Sequence, residues 1–362
     1  MPLLSSQTHP ASPLRKNPIR SLLSITWASK ATICFLAVSV SIFLFLLQGS
    51  WDMGISFTKA EVEKPRQDRP PLKGTSGIGV SIEEDEDRPL ILYAYHETQN
   101  AHRNAQFFIT HGLHAHADFI FILNGEANPK FVKSIPQADN IQIIQRDNTC
   151  FDLGSYAEVL TRNNSKLVKK YNRFILMNAS LRGPFLPTWS RECWSDAILS
   201  KVTDTNKLVG LTYNCRPVRH VQSMMFATDR TGLTLLLDKI GTCFSNFRAA
   251  VKVETECTAH ILESGYNVTA LMTSFSTKKD YATTCTHDDV LHPDTYFKTT
   301  IHPYDIMFQK ANRKLAPEVL VQLTKWHDDA GYSSWAACSR AYKIKKALRI
   351  MKKNGYDLDF DL

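Results

Sequence analysis

From Pro89 onward the chain alternates short apolar runs with longer amphipathic stretches, and that alternation predicts its architecture. Leu90–Tyr95 and Asp118–Leu123 (DFIFIL) read as buried strands, with a helix over Asn100–His114 between them. Ile141–Gln145, carrying Ile141, Ile143 and Ile144, supplies a third strand, and a polar turn then leads into a helix over Leu153–Leu160. Arg173–Met177 is the fourth strand and ends in Asn178-Ala179-Ser180. Lys207–Thr212 and Ser223–Ala227 read as a fifth and sixth strand. Glu254–Ser264 is a helix closed by Gly265, and Val268–Met272 is a further strand. Past Ala316 the pattern turns helical and ends in Tyr342–Lys353, whose basic face predicts a solvated surface or one resting on a membrane. Strands alternating with helices predict an α/β fold, a mostly parallel mixed sheet flanked by helices. Such sheets take ligands at the carboxyl ends of their strands, where the polar pairs Asn148/Asp152 and Asn178/Ser180 fall.

Ahead of this region the pattern changes. Ala31–Leu47 is seventeen residues without a charge, at the short end of what spans a bilayer. Residues 1–30 carry Arg15, Lys16, Arg20 and Lys30 and no acidic side chain, which predicts a cytosolic N-terminus. The long basic region and the lack of a small-x-small site after Leu47 favour an uncleaved type II signal-anchor over a cleaved signal peptide. Residues 48–88 hold Pro65, Pro70, Pro71 and the acidic run Glu83–Asp87, the composition of a flexible stem. The predicted layout is a cytosolic tail (1–30), a transmembrane helix (31–47), a stem (48–88), a luminal domain (89–315) and a helical extension (316–362), in the Golgi or endoplasmic reticulum.

Charge and cysteine content fit that layout. Half of the net charge of +8 sits in the tail, so the basicity does not argue for nucleic acid. Seven cysteines (150, 193, 215, 243, 257, 285 and 338) lie on the luminal side, where disulfides are permitted. Their odd number leaves at least one unpaired or joined to another chain. Sequons begin at Asn163, Asn178 and Asn267; Asn163 and Asn267 are the expected glycan sites, since Asn178 ends a core strand.

Three segments carry a resemblance. They are Asn148-Thr149-Cys150-Phe151-Asp152-Leu153-Gly154, Asn178-Ala179-Ser180 followed by Gly183-Pro184, and the stretch from Val253 through Glu254 and Glu256 to Gly265-Tyr266. In this order they resemble the rhamnan synthesis protein F family and are similar to the wider glycosyltransferase-A fold, over roughly Pro89 to Arg313. The resemblance implies a Rossmann-type nucleotide half and transfer of a hexosyl or deoxyhexosyl group from a nucleotide-sugar donor to a glycan or glycoconjugate acceptor. It implies nucleotide-sugar contacts from His96, Glu97, Asn148, Asp152, Gly154, Asn178 and Ser180, a base at Glu254 with Glu256 second, and a metal or diphosphate contact at His302. Two departures stand out: Cys150 replaces the family's glycine, and the end of the fourth strand lacks the acidic metal motif. A divalent ion (manganese or magnesium) is then either held elsewhere or replaced by cationic side chains, with Arg182, Lys310 and Arg313 as candidates.

Each candidate has a plainer alternative. Asp152 either orients a ribose or sugar or caps a helix. Glu254 and Glu256 either serve as base or balance a helix dipole from its first turn. His287-Asp288-Asp289 is an acidic cluster or a solvated turn, and the spacing of His111, His114 and His116 fits no standard zinc pattern. A catalytically inactive glycan-binding or scaffold domain is the competing function. A hydrolase is set aside, because the chain holds neither G-x-S-x-G nor H-E-x-x-H.

Overall fold

The computed structural model describes residues 88–353 apart from position 245; the tail, anchor and nearly all of the stem lie outside the described residues. Among the described residues no helix is long and apolar enough to cross a membrane.

The elements run β1 (Leu90–Tyr95), α1 (Gln99–His111), β2 (Asp118–Asn124), α2 (Pro129–Ser134), β3 (Ile141–Arg146), α3 (Phe151–Lys170), β4 (Arg173–Asn178), β5 (Leu181–Arg182), α4 (Trp194–Leu199) and β6 (Asn206–Gly210). There follow β7 (Tyr213–Asn214), β8 (His220–Val221), β9 (Met225–Asp229), α5 (Arg230–Ile240), α6 (Phe247–Glu263), β10 (Asn267–Ala270), α7 (Tyr281–Thr284), α8 (Pro303–Ile306), β11 (Gln309–Lys310), α9 (Pro317–Ala330) and α10 (Ser334–Lys353).

Seven strands form one sheet in the order β10-β6-β9-β4-β1-β2-β3. Neighbours pair in parallel except β9, which runs antiparallel to both β4 and β6. The central strands are buried on both faces, which is why β1, β2 and β4 read as unbroken apolar runs. β3 is an edge strand instead, with Ile143 exposed. Two small ladders, β5–β11 and β7–β8, stand beyond the sheet's carboxyl edge.

The helices depart from the expected bounds in instructive ways. α1 stops at His111, and the Gly112 amide closes it on Phe108 O, at a position with no room for a side chain beside the Phe108 ring. α3 runs past Leu160 to Lys170 through a left-handed kink at Asn163, Asn164 and Ser165, so the Asn163 sequon lies exposed on that kink rather than in a loop after the helix. α6 begins at Phe247, where the Asn246 side chain caps Ala249 N, not at Glu254. Glu254 and Glu256 are therefore in the body of the helix, and the first-turn dipole explanation for them falls away.

Three disulfides join Cys150 to Cys243, Cys193 to Cys338 and Cys215 to Cys285, across 93, 145 and 70 residues. Bridges closing loops of this size stabilise a fold by about 2–4 kcal/mol each. The odd cysteine is Cys257, buried in α6, where loss of hydration and then the charges of Glu254 and Glu256 push its thiol up to about 12.

Candidate active site

The chain steps from β1 to β2 to β3 on one side and returns to β4 on the other side of β1. The carboxyl ends of β1 and β4 therefore flank the crevice where the strand order reverses. Asn178 closes β4 opposite Ala94. Its Nδ2 donates to Asp152 Oδ2 at 2.5 Å, and its Oδ1 accepts from Ser180 N at 3.1 Å and Ser180 Oγ at 2.5 Å. The turn is pinned from behind: Asn178 N donates to Met224 O, Ala179 N to Ala94 O, and the fully buried Asn104 gives its Nδ2 to Ala179 O at 2.9 Å.

Asp152 sits half-buried in the first turn of α3 and is not its N-cap; Cys150 holds that position and makes no capping bond. Loss of hydration raises the Asp152 pKa above the usual carboxylate value. The Asn178 hydrogen bond opposes the rise, Glu254's charge adds to it, and Lys310 and the Leu153 amide oppose it. Cys150 and Phe151 both adopt left-handed backbone, at φ 66° and 55°. Such geometry costs an ordinary residue about 1–2 kcal/mol; here the bridge to Cys243 holds Cys150 in place.

Glu254 reaches the same crevice from α6. Its Oε1 accepts from Ser223 N at 2.7 Å, and His220 Nε2 stands 4.0 Å from that oxygen. The loop carrying these partners is tied down by Val221 N on Thr258 Oγ1 and by Gln222, which bonds Thr212 and gives its Nε2 to Asp289 Oδ1 at 3.0 Å. Asp289 also accepts from Leu291 N, so it belongs to this framework and not to a solvated turn.

Lys310 completes the group. Gly183, at φ +152°, lets β11 approach β5: a Cβ there would meet Phe308 Cδ1 at 2.5 Å and Met307 O at 2.6 Å. β11 pairs with β5 through Lys310 and Leu181, and Ala311 N donates to Ser180 O. Burial lowers the Lys310 pKa, and Arg313 adds to the drop. Glu254, Asp152 and Asp289 work in the opposite sense. Among the described residues no hydrogen bond or ion pair fixes the Lys310 ammonium. One unpaired cation thus faces three carboxylates, a loosely held charge at the sheet's functional edge.

The other sequence candidates divide. His96 is exposed, with Nδ1 3.0 Å from Asn124 O, and it and Asn148 lie on either side of Gly125 at the ends of β1, β2 and β3. Glu97 is committed to the framework: it accepts from Tyr95 OH and Asn128 N, both at 2.8 Å, and faces His102. Burial pushes its pKa up, but the Asn128, Tyr95 and His102 interactions outweigh that and leave it lowered. Gly154 packs beneath the bridge, 2.6 Å from Cys150 Cβ to where its own Cβ would stand, so contact with the disulfide explains it without a phosphate.

Three expectations are corrected. Arg182 is turned away from the crevice; it is buried against α1 and α9, donating to Asn104 Oδ1 at 2.9 Å and Thr324 Oγ1 at 3.3 Å. Glu256, two residues from Glu254, points to the other side of the helix and pairs with Lys252 at 3.6 Å. His302 caps α8, its Nδ1 accepting from Tyr304 N, and no contact brings it to Asp152 or Glu254. Of the sequons, Asn163 and Asn267 are exposed, whereas the Asn178 amide is engaged at both atoms.

Among the described residues the crevice offers no three-ligand protein cage for a divalent ion. Among the described residues only His114/Cys193/Cys338 and Cys215/Cys285/His287 bring three possible ligands together, and in both the cysteines are disulfide-bonded. Asp152, Glu254 and Asp289 do not form such a group, so an ion held here would draw most of its oxygens from the donor's phosphates. Sequence reasoning missed His220, Gln222 and Ser223, and also Arg146, which is buried and holds the turn before α3 by bonding Glu158, Asn124 Oδ1 and Thr149 O.

No protein-family model and no curated protein matches the chain. Among solved structures it is similar to a mannosyltransferase from Pyrobaculum calidifontis in complex with GDP-Man and Mn2+, at 12% identity over 73% of this chain and 80% of that one, with a TM-score of 0.36. A protein provisionally named a nucleotide-diphospho-sugar transferase, from Desulfovibrio desulfuricans, overlaps 54% of this chain and 90% of its own at 11% identity and a TM-score of 0.32. A cytidylyltransferase from Leptospira borgpetersenii overlaps 51% and 75% at 7% identity and 0.30. Overlaps this loose say nothing of what this chain binds.

Proposed function

We propose that the chain is a glycosyltransferase that moves a sugar from a nucleotide-sugar donor to a glycan or glycoconjugate acceptor, as a type II membrane protein of the Golgi or endoplasmic reticulum. The observation that carries the reading is the meeting of Asp152–Asn178, Glu254 and Lys310 at the crevice between β1 and β4. His96 and Asn148 would line the nucleoside side, with Asp152 and Asn178–Ser180 orienting the donor sugar. Glu254, aligned by Ser223 N, takes the proton of the acceptor hydroxyl as its oxygen attacks the anomeric carbon. The bond from that carbon to the diphosphate breaks, the electron pair leaves with the diphosphate, and Lys310 and Arg313 stabilise the charge. Lys310 thereby supplies positive charge that an ion would otherwise bring. The three disulfides support an oxidising compartment, and exposed Asn163 and Asn267 would carry glycans there.

Thermal-shift titration of the full chain in detergent with UDP, GDP and their sugars, with and without manganese, tests this. A nucleotide that binds the folded chain must raise its melting temperature by mass action. Stabilisation by one diphosphate without need of manganese is expected. A folded chain that no nucleotide stabilises would refute the reading and leave a glycan-binding domain.

A further inference from the structure

Beside the crevice two aromatic rings stand in water. Phe247, the first residue of α6, is 71% exposed, and Phe151, the first residue of α3, is 39% exposed; their ring centroids are 6.5 Å apart. Neither placement is incidental to the site. Phe151 directly precedes Asp152 and holds left-handed backbone at φ 55°, a conformation that ordinary residues keep only where the surroundings impose it. Phe247, Val251 and Glu254 fall at i, i+4 and i+7 on one face of α6, and Val251 is exposed as well. The Cys150–Cys243 bridge joins the segments just ahead of the two helices, so the spacing of the rings is set before any ligand arrives.

We infer that Phe151 and Phe247 are the stacking platform of an acceptor subsite, and that the acceptor is an oligosaccharide. The inference rests on the transferase reading for the role of Glu254. A pyranose suits the platform because it is amphipathic in the same sense: one face of axial C–H bonds for the rings, and a rim of hydroxyls for water and the crevice beyond. An acyl chain would want an enclosed groove, and these rings lie on an open helix face. Length sets the size of the acceptor. Seven helical residues separate Phe247 from Glu254, about 10 Å along the axis, which is farther than one sugar ring reaches. The stacked ring is therefore a unit behind the one whose hydroxyl meets Glu254, and the minimal acceptor is a disaccharide.

Saturation-transfer NMR on the full chain in detergent tests this, with cellobiose, lactose, maltose and α-mannobiose as probes and their monosaccharides as controls. One disaccharide is expected to receive saturation at its C–H protons, well above its monosaccharides. Phe247→Ala is expected to weaken that binding about tenfold, the worth of an aromatic contact. Phe151→Ala should act in the same direction, and Trp326→Ala, which removes an exposed aromatic on α9, should not. Because Phe247 is largely exposed, its removal leaves the fold and the nucleotide-induced thermal shift intact. No saccharide signal, or a signal unchanged by both phenylalanine substitutions, overturns the platform while leaving the transferase reading standing if nucleotide still stabilises the chain. A phenylalanine-dependent saccharide signal with no nucleotide stabilisation does the reverse: the platform holds and the transferase reading fails.

Discussion

The two ends of the central sheet use charge in opposite ways. At the amino end, beneath β1, β2 and β3, lies a cavity of about 490 Å³ lined by Asp118, Asn140, Arg162, Lys166 and Tyr171 among others. Its key groups are spent on closing the fold: Arg88 bonds Asp118 at 2.6 Å and two backbone carbonyls, Tyr171 OH donates to Asp118, and Asn140 bridges His114 O and Ala117 O. At the carboxyl end, among the described residues, no hydrogen bond or ion pair fixes the Lys310 ammonium, and loss of hydration raises the pKa of half-buried Asp152. The described cavity lies at one end and the candidate chemistry at the other. The Asp118 carboxylate, bonded by Arg88 and Tyr171, has little left to offer a ligand, and the interaction energy still available decides where a reaction can be run.

Substitutions at the two ends should separate these roles. The largest effect is expected from Glu254→Gln, which removes the base and should lower turnover by about 10²–10⁴-fold with donor affinity unchanged, read by initial rates beside a nucleotide titration. Lys310→Met should weaken diphosphate binding by about 10- to 100-fold, the worth of a charged hydrogen bond, and Lys310→Arg should recover part of it. If Lys310→Met leaves nucleotide affinity untouched, the contrast between the ends collapses. Asp118→Asn, at the amino end, should cost about 1 kcal/mol of stability in a denaturant melt and nothing in nucleotide affinity. The smallest and most diagnostic effect is that of Asp152→Asn. The folded pKa of Asp152 lies above its unfolded value, so ionisation disfavours the fold as pH rises through the folded pKa. The asparagine variant should melt higher than the parent at pH 8, and the gap should close below the ordinary carboxylate pKa, where both states are protonated.

Acid should also act through a buried residue at the amino end. His114 is buried with Nε2 on Ser195 Oγ, and loss of hydration, with His116 and Arg88 adding, lowers its pKa to about 3. The unfolded chain binds that proton near the usual histidine value, so stability falls as pH drops through it and continues to fall until about 3. His114→Gln should flatten this part of the acid-melting curve.

What the sequence could convey followed from how local each signal was. β1, β2 and β4 are buried on both faces, and an unbroken apolar run says so directly. β5, β7, β8 and β11 are two residues each, too short for any periodicity, yet β11 is what brings Lys310 to the crevice. The start of α6 was hidden because its buried residues, Ala250, Cys257, Thr258 and Ile261, include few strongly apolar ones, while Phe247 at its head faces water. Asp152 and Asn178 were visible as polar residues at predicted strand and helix ends. Their mutual hydrogen bond was not, nor was the partnership of Glu254 with Ser223, since both depend on chain segments meeting through the fold. Arg182 misled because its position after a strand suggested an anion, whereas burial against α1 and α9 decides its role.

The three bridges also interlock along the chain. Each begins before Cys243 and none closes before it, so a single backbone cut anywhere between Cys215 and Cys243 is spanned by all three and releases no fragment.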